Sequence, residues 1–308
     1  MDSFRFVHAA DLHIDSPFAG VGDADNRVAT RLREATFEAF QNLVDLCINQ
    51  KADFLVIAGD VYDGADRSVR AQLRFRDGLS KLAEAGIQSF VVHGNHDPLD
   101  GWQSSISWPE GVHIFGATPE WKNFEKNGEI VAAIQGISYP TREVTDNLAT
   151  QFTPPESENL FAIGLLHANV GANSAHPNYA PCTVEDLSES GIDYWALGHV
   201  HTRQTLKRAA PVIAYPGNTQ GRHPNETGAR GALVVDVDAS GASRSEFATL
   251  DVVRWERGEV DISNIETIDS LDSAIIQATD NLSVQAEDRD VVCRLSLAGR
   301  GPLHEQLA

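Results

Sequence analysis

Five short motifs place an oxygen or imidazole side chain directly after a short apolar run. The motifs are DLH, GDVYD, GNHD, GLLH and GHVH. Oxygen and imidazole ligands without a thiolate suit a pair of hard or borderline divalent cations, and two such cations suit the hydrolysis of a phosphate ester. Each motif alone is common, but their conjunction predicts a two-metal centre. Its candidate ligands are Asp11, His13, Asp60, Asn95, His167, His199 and His201.

The residues beside these ligands predict how the hydrolysis would proceed. Asp60 is the candidate for a carboxylate that bridges both cations, and a water between them would be acidified towards hydroxide and attack phosphorus. His96 follows the ligand Asn95, so its ring can face the substrate as general acid and transition-state stabiliser. Asp63 could accept a hydrogen bond from His96 and keep it charged. A loop-capping role is the alternative for Asp63.

Two basic segments are candidates for substrate contact. The first follows GDVYDG, and it is either a solvated helix face or a track for the substrate. Its members are Arg67, Arg70, Arg74 and Arg76. The second is the loop after Tyr215, for which an ordinary surface turn is the alternative. From these segments we select as candidate substrate-binding residues Arg67, Asn218, Arg222 and His223.

The predicted elements explain how distant motifs could meet. Apolar runs predict strands at 4–10, 53–58 and 89–93, and helical spacing predicts helices at 31–48 and 67–85 between them. This alternation is typical of an α/β fold. In such folds ligands bind at the carboxyl ends of the strands, and the first three metal motifs follow these strands directly.

In the second half of the chain the regular alternation of predicted strands and helices does not continue. A short helix is predicted at 183–189, where Thr183 and Asp186 have capping-box spacing. Two sheets packed face to face, with helices outside, would accommodate this pattern. After Leu250 a strand, a helix and a strand predict a small β-α-β appendage without a closing element. The strands predicted before it are at 112–115, 130–137, 161–167, 194–198, 212–215 and 232–237.

Composition limits the setting in which the protein works. The formal net charge of −20 makes the chain a poor general binder of nucleic acid, but two cations can still make a cleft locally positive. The three cysteines lie far apart and are expected to be reduced core residues of a cytoplasmic protein. No apolar run reaches transmembrane length and no secretion signal is recognisable, so we expect no membrane association.

With its motifs in this order, the chain resembles the calcineurin-like metallophosphoesterase superfamily. Within it, the chain is similar to DNA repair exonucleases of the SbcD type, and most similar to their YhaO-like bacterial branch. The resemblance implies a four-layer α/β/β/α sandwich as nuclease domain over residues 1–250, and the start of a capping domain, expected to be incomplete, over 251–308. The segments that carry it are HAADLHIDSPF (8–18), AGDVYDG (58–64), HGNHDPL (93–99), LLHANVG (165–171), YAPCTVEDL (179–187), YWALGHVH (194–201) and YPGNTQGRHPNETG (215–228).

The resemblance also implies a division of the ligands and a set of partners. His96 matches the catalytic histidine of the family, and Mn²⁺ is its usual activating ion, with Mg²⁺, Fe²⁺ and Zn²⁺ as alternatives. The implied partners are DNA ends or single strands and an SMC-like ATPase of the SbcC/YhaN kind, and a homodimer stays open. One cation would be held by Asp11, His13, Asp60 and His201, and the other by Asp60, Asn95, His167 and His199.

One residue departs from the pattern of the related nucleases. They carry a second histidine where this chain has Asp63, and a carboxylate there is more similar to the Ser/Thr phosphatases. We therefore consider three functions. The leading hypothesis is a two-metal DNA exonuclease or endonuclease. The alternatives are a phosphatase or small-molecule phosphodiesterase on the same scaffold, and a protein that mainly binds its ATPase partner.

Overall fold

The structure is a computed structural model that describes residues 1–20, 26–64, 68–101, 106–157, 160–171 and 178–307. Its strands, in chain order, are β1 (Phe4–Ala9), β2 (Phe54–Ala58), β3 (Gln88–Val92), β4 (Val112–Ile114), β5 (Glu120–Lys126), β6 (Glu129–Ile137), β7 (Phe161–His167), β8 (Tyr194–Gly198), β9 (Gln204–Lys207), β10 (Val212–Tyr215), β11 (Gly231–Val237), β12 (Ser243–Thr249), β13 (Val253–Asp261) and β14 (Asp290–Ala298). Its helices are α1 (Asn26–Asn49), α2 (Val69–Glu84), α3 (Val184–Ser188), α4 (Ile268–Gln285) and α5 (His304–Leu307), and a 3₁₀ turn covers Leu148–Gln151.

Two six-stranded sheets carry most of these strands. The order is β12-β11-β1-β2-β3-β4 in the first sheet and β5-β6-β7-β8-β10-β9 in the second. The strands β1 to β4 run parallel to one another, and so do β6, β7, β8 and β10. Parallel strands end at the same edge of a sheet, which gathers the residues that follow them.

The side chains of β2 show how the layers pack. Because side chains alternate along a strand, Phe54 and Val56 enter the core between the two sheets, whereas Leu55 and Ile57 pack beneath α1 and α2. On the far side, the second sheet packs against α3 and the 3₁₀ turn, with Trp195 fully buried between them. The predicted four-layer α/β/β/α sandwich is therefore confirmed.

The differences from the predicted elements lie mainly at the sheet edges. The strands β5, β9 and β12 were not predicted, and each is an edge strand whose residues are mostly half-buried or exposed. They lack the continuous apolar runs of the central strands. In contrast, the predicted capping box of α3 is present, because Thr183 and Asp186 each accept a hydrogen bond from the other's backbone.

The chain after Leu250 forms the β-α-β unit that the sequence predicts. Its strands β13 and β14 pair in parallel, and α4 packs on them around a small core with Val260 and Leu271. A short helix, α5, follows and was not predicted. Val253 joins the unit to the sandwich by packing against Leu32 of α1. Among the described helices, none is both long and apolar enough to cross a membrane.

Candidate metal centre

The predicted ligands lie together where the parallel strands of both sheets end. In the first sheet, Asp11, Asp60 and Asn95 follow β1, β2 and β3 closely. In the second sheet, His167 is the last residue of β7 and His199 follows β8. The two sheets face each other, so their carboxyl ends form one edge of the sandwich. The topology alone thus brings together residues that are far apart in the chain.

One half of the cluster contains Asp11, His13 and His201. The Nε2 atoms of His13 and His201 are 3.2 Å apart, and Nε2 of His201 is 3.9 Å from Oδ1 of Asp11. One ligand atom from each of these residues lies within 4.8 Å of the other two. This spacing is compatible with three donors around one cation.

The other half contains Asn95, His167 and His199. The Oδ1 atom of Asn95 is 3.0 Å from Nε2 of His167 and 3.2 Å from Nδ1 of His199. Asp60 lies between the halves, since its Oδ2 atom is 3.4 Å from Nε2 of His167 and 3.8 Å from Nε2 of His13. This geometry supports the proposal that Asp60 bridges two cations.

The hydrogen bonds of the imidazoles indicate that these residues suit metal ions. Nδ1 of His201 faces the carboxylate of Glu226 at 2.5 Å, which places the proton there and leaves Nε2 as an electron-pair donor. Nδ1 of His13 is buried and has no hydrogen-bond partner among the described residues. Nε2 of His201 faces Nε2 of His13 at 3.2 Å. A cation shared by the two rings would stabilise this close approach, and the donor set of imidazoles and carboxylates suits a borderline divalent ion.

The backbone at the ligands adopts conformations that are rare for residues other than glycine. The φ angles are 52° at Asp11, 43° at His13, 50° at Asp60 and 98° at His199. Such left-handed conformations cost free energy and concentrate at functional sites. Here they turn each side chain into the cluster directly after its strand, and the backbone N–H of His199 donates to the carboxylate of Asp11.

A glycine at the end of β8 allows the two sheets to approach. A Cβ atom on Gly198 would lie 1.8 Å from the carbonyl oxygen of Ala58 at the end of β2. The same carbonyl accepts a hydrogen bond of 2.9 Å from Nδ1 of His167. That bond fixes the tautomer of His167 and directs its Nε2 atom towards Asp60.

The charges in the cluster perturb the pKa values of its members. Burial opposes ionisation of Asp60, but the neighbouring imidazoles of His167 and His13 outweigh it and hold the pKa of Asp60 well below its usual range. Burial likewise works against a charged His167, but the carboxylate of Asp60 raises the pKa of His167 to about 9. The region beside Asp60 therefore favours positive charge.

A second group of residues borders the ligands. Nδ1 of His96 is 2.6 Å from Oδ1 of Asp63, and Oδ2 of Asp63 accepts hydrogen bonds from Arg222 at 2.8 Å and from Ser16 at 2.5 Å. Burial lowers the pKa of His96, but the hydrogen bond to Asp63 and the charge of Asp60 outweigh it and raise that pKa. A third of the His96 side chain is exposed (33%), so the ring is accessible to solvent at the border of the cluster.

The candidate substrate-binding residues have different surroundings. Arg222 reaches Asp63 and Ser16, which places it beside the cluster. Asn218 is fully buried, and its amide binds the loop itself and Arg230. His223 is exposed, and Arg67 lies outside the described residues. Substrate contact stays a prediction for all four candidates.

Two carboxylates in the site were not given a role from the sequence. Asp97 is fully buried and accepts hydrogen bonds from the backbone of Val61 at 2.8 Å and of Gly94 at 2.7 Å, so it joins the two loops that carry ligands. The position of Asp97 in the GNHD motif is the sequence signal that could have identified it. Glu226, which binds His201, lies in a loop far along the chain and gives no local signal.

The fold and this cluster define a class of protein, the metal-dependent phosphoester hydrolases. The chain belongs to the calcineurin-like phosphoesterase family, whose model matches residues 4–203. A second model, the middle domain of the metallophosphoesterase YhaO, matches residues 255–308. Family membership implies two divalent cations, and the candidate ligand groups are present.

Three relatives show how far the similarity extends. The chain is 40% identical over 304 residues to the metallophosphoesterase YhaO of Bacillus subtilis, an alignment that covers 98% of this chain and 73% of that protein. It is 25% identical over 295 residues to SbcD, a component of the nuclease SbcCD of the same organism, covering 83% and 70%. It is 27% identical over 222 residues to the DNA double-strand break repair protein Mre11 of Thermoplasma acidophilum, covering 65% and 56%. The chain thus spans only part of the length of each relative.

Proposed function

We propose that the protein is a nuclease that hydrolyses phosphodiester bonds of DNA, at ends or in single strands. The observation that carries the proposal is the position of His96 at the border of the ligand cluster. Its backbone N–H donates to Oδ1 of Asp60 at 2.9 Å, its pKa is raised by the hydrogen bond to Asp63 and by the charge of Asp60, and its ring is partly exposed. A proton donor therefore stands beside the carboxylate that faces both halves of the cluster. The names of two relatives, a nuclease component and a DNA break repair protein, support DNA as the substrate.

We propose that the ligands divide into two cation sites that share Asp60. Two bound divalent cations would lower the pKa of a water between them and neutralise charge on the phosphate. We take Mn²⁺ as the physiological ion, with Mg²⁺, Fe²⁺ and Zn²⁺ as alternatives. The first site would consist of Asp11, His13, Asp60 and His201, and the second of Asp60, Asn95, His167 and His199.

The roles of the remaining residues follow from their contacts. His96 donates a proton to the leaving oxygen and stabilises charge on the phosphate as the bond breaks. Asp63 receives the Nδ1–H of His96, which orients the ring and leaves Nε2 for the substrate. Arg222 holds the other oxygen of Asp63, so Asp63 stays ionised and in place.

The proposal extends to domains, location and partners. Residues 1–250 form the nuclease domain, and residues 251–308 form the start of a capping domain. The protein acts in the cytoplasm together with an SMC-like ATPase of the SbcC/YhaN kind. The similarity to SbcD of the nuclease SbcCD supports this partner. A homodimer is a further assembly to test.

Cleavage of labelled DNA tests the proposal. End-labelled single-stranded and duplex DNA are incubated with the protein and Mn²⁺, with and without a chelator. We expect products only with metal, from wild type and from the control His304→Ala in the C-terminal helix α5, and a rate at least about 100-fold lower from His96→Ala. Absence of cleavage by wild type, or equal cleavage by His96→Ala, contradicts the proposal.

A second candidate function is supported by Asp63. Related nucleases have a histidine at this position, whereas here a carboxylate forms a short ion pair of 2.6 Å with His96. Such a pair is similar to that of the Ser/Thr phosphatases, so the protein could be a phosphatase or a small-molecule phosphodiesterase. Parallel rates on a chromogenic diester, a phosphomonoester and DNA decide the matter. A rate on DNA far above both small substrates excludes this candidate.

A further inference from the structure

Glu226 uses both oxygens of its carboxylate next to the metal centre. Its Oε1 atom is 2.5 Å from Nδ1 of His201. Its Oε2 atom accepts hydrogen bonds from the backbone N–H groups of Arg222 at 2.6 Å and His223 at 3.1 Å. Only 14% of the side chain is exposed. A largely buried carboxylate with three donors is held in one orientation.

The contact with Glu226 determines which ring nitrogen of His201 carries the electron pair that can bind a cation. Because Nδ1–H of His201 donates to the carboxylate, the electron pair of the ring lies on Nε2, which faces His13 and Asp11. Carboxylate partners of this kind fix the tautomer of a ligating histidine and make its ring a stronger donor. The side chains of His13 and His167 are fully buried, so packing restrains their rings, whereas the His201 side chain is 21% exposed. The orientation of His201 therefore depends more on a hydrogen-bond partner.

The position of Glu226 is set by contacts that do not involve His201. The guanidinium of Arg257, on β13, donates to the carbonyl oxygen of Pro224 at 2.9 Å and to the side chain of Asn225. The backbone N–H of Gly228 donates to the carbonyl oxygen of Trp255 at 3.2 Å. The loop is therefore anchored on both sides of Glu226, and the carboxylate is held where His201 meets it.

We infer that Glu226 is a positioning residue of the metal centre, which fixes the tautomer and orientation of His201 and so strengthens one of the two cation sites. The inference rests on the proposed role of His201 as a ligand. The competing explanation is that Glu226 only closes the loop through the backbone of Arg222 and His223. The two explanations differ in whether the effect of Glu226 passes through His201.

A double-mutant cycle of Glu226→Gln and His201→Gln separates these explanations. Mn²⁺ affinity and stoichiometry are measured by calorimetry on the purified protein without substrate. We expect Glu226→Gln to weaken one of two sites about 10- to 100-fold and to leave the other within about twofold. In the His201→Gln background the same change has no further effect. The control Glu259→Gln removes an exposed carboxylate of β13 and leaves both affinities unchanged.

Three outcomes overturn the inference. The first is an unchanged metal affinity in Glu226→Gln, and the second is an equal loss with and without His201, which assigns Glu226 to loop closure alone. The third is His201→Gln with both sites intact, which refutes the ligand assignment in the proposed function and the inference with it. Since no substrate is present, a failure to cleave DNA leaves the measurement interpretable.

A second measurement needs no change at Glu226, and it applies even where Glu226→Gln does not fold. Imidazole ¹⁵N spectra of histidine-labelled wild type report the tautomer of each ring, and His201→Gln identifies the signal of His201. We expect His201 to carry its proton on Nδ1 both with and without metal. A proton on Nε2 in the metal-free protein contradicts the inference.

Discussion

Asp63 and His96 form an ion pair of 2.6 Å between Oδ1 and Nδ1, at the border of the cluster of candidate metal ligands. The partners of the pair differ on its two sides. Asp63 is held by Arg222 and Ser16, and His96 is held by the carboxylate of Asp60 through its backbone N–H. The pair therefore connects a loop far along the chain to the proposed bridging ligand, and its orientation depends on both.

We expect removal of either member of this pair to slow the chemical step more than it weakens metal binding. We expect His96→Ala to lower kcat on a phosphodiester by about 100- to 10,000-fold, because it deletes the proton donor. Asp63→Asn keeps an acceptor oxygen for His96 but loses the charge, so we expect a smaller loss of about 10- to 100-fold. Steady-state kinetics with saturating Mn²⁺ give both values.

Metal content provides the control for these kinetics. Neither His96 nor Asp63 belongs to the proposed ligands, so both variants should retain the wild-type number of bound ions. Elemental analysis after dialysis measures this number. Loss of an ion from His96→Ala would show that His96 is a ligand and would remove its assignment as proton donor.

Divalent cations should stabilise the folded protein. The proposed ligands come from distant parts of the chain and meet only after folding, so metal binds the native state, and each occupied site raises the free energy of unfolding by about 2.7 kcal/mol at a concentration of 100 Kd. Since Asp60 faces both halves of the cluster, Asp60→Asn should lose this stabilisation almost entirely. His167→Ala should lose only the part that belongs to one site. Thermal midpoints with and without Mn²⁺ test this, and equal losses in the two variants argue against a bridging Asp60.

The sequence contains enough information to predict which candidate ligands lie together, but not the residues that support them. Asp11, Asp60 and His167 each lie at or just after the end of a largely buried strand, so a local apolar run and a polar residue at its end are sufficient signals. Glu226 is different, because its contact with His201 exists only through the path of a loop that β13 anchors. A single acidic residue in a polar loop gives no local sign of such a contact.

The same physical distinction explains which strands could be predicted. The strands β2, β7 and β8 consist of buried residues throughout, and continuous apolar runs are typical of strands covered on both faces. The edge strands β5, β9 and β12 are mostly half-buried or exposed, so their sequences are mixed. Their strand structure depends on pairing with a neighbour, and that pairing is a tertiary contact that periodicity does not encode.

His8 should make stability depend on pH. It is fully buried in β1, where its ring binds Tyr194 and the carbonyl oxygen of Leu197, and burial lowers the pKa of His8 from 6.5 to about 3. Between these values the unfolded chain binds a proton that the folded protein does not, so stability falls as pH falls, by up to about 1.4 kcal/mol per pH unit. Urea unfolding at pH 5 and pH 7 should show a smaller difference for His8→Gln than for wild type. The variant His304→Gln serves as control. If His304→Gln reduced the difference in stability between pH 5 and pH 7 as much as His8→Gln does, the assignment to His8 would be refuted.

Gly198→Ala should disrupt both the packing of the sheets and the metal centre. A Cβ atom at this position would lie 1.8 Å from the carbonyl oxygen of Ala58 and 2.9 Å from Nδ1 of His167, so β8 must move away from β2 or His167 must turn. Overpacking of this kind costs about 1 to 3 kcal/mol, and the displaced His167 should weaken Mn²⁺ binding as well.

Gly116→Ala is the matched control, because a Cβ atom there meets nothing within 4 Å and should change stability by less than about 0.5 kcal/mol. Urea unfolding and Mn²⁺ titration measure the two effects, and equal behaviour of the two variants would mean that the close approach at Gly198 does not hold the ligands together.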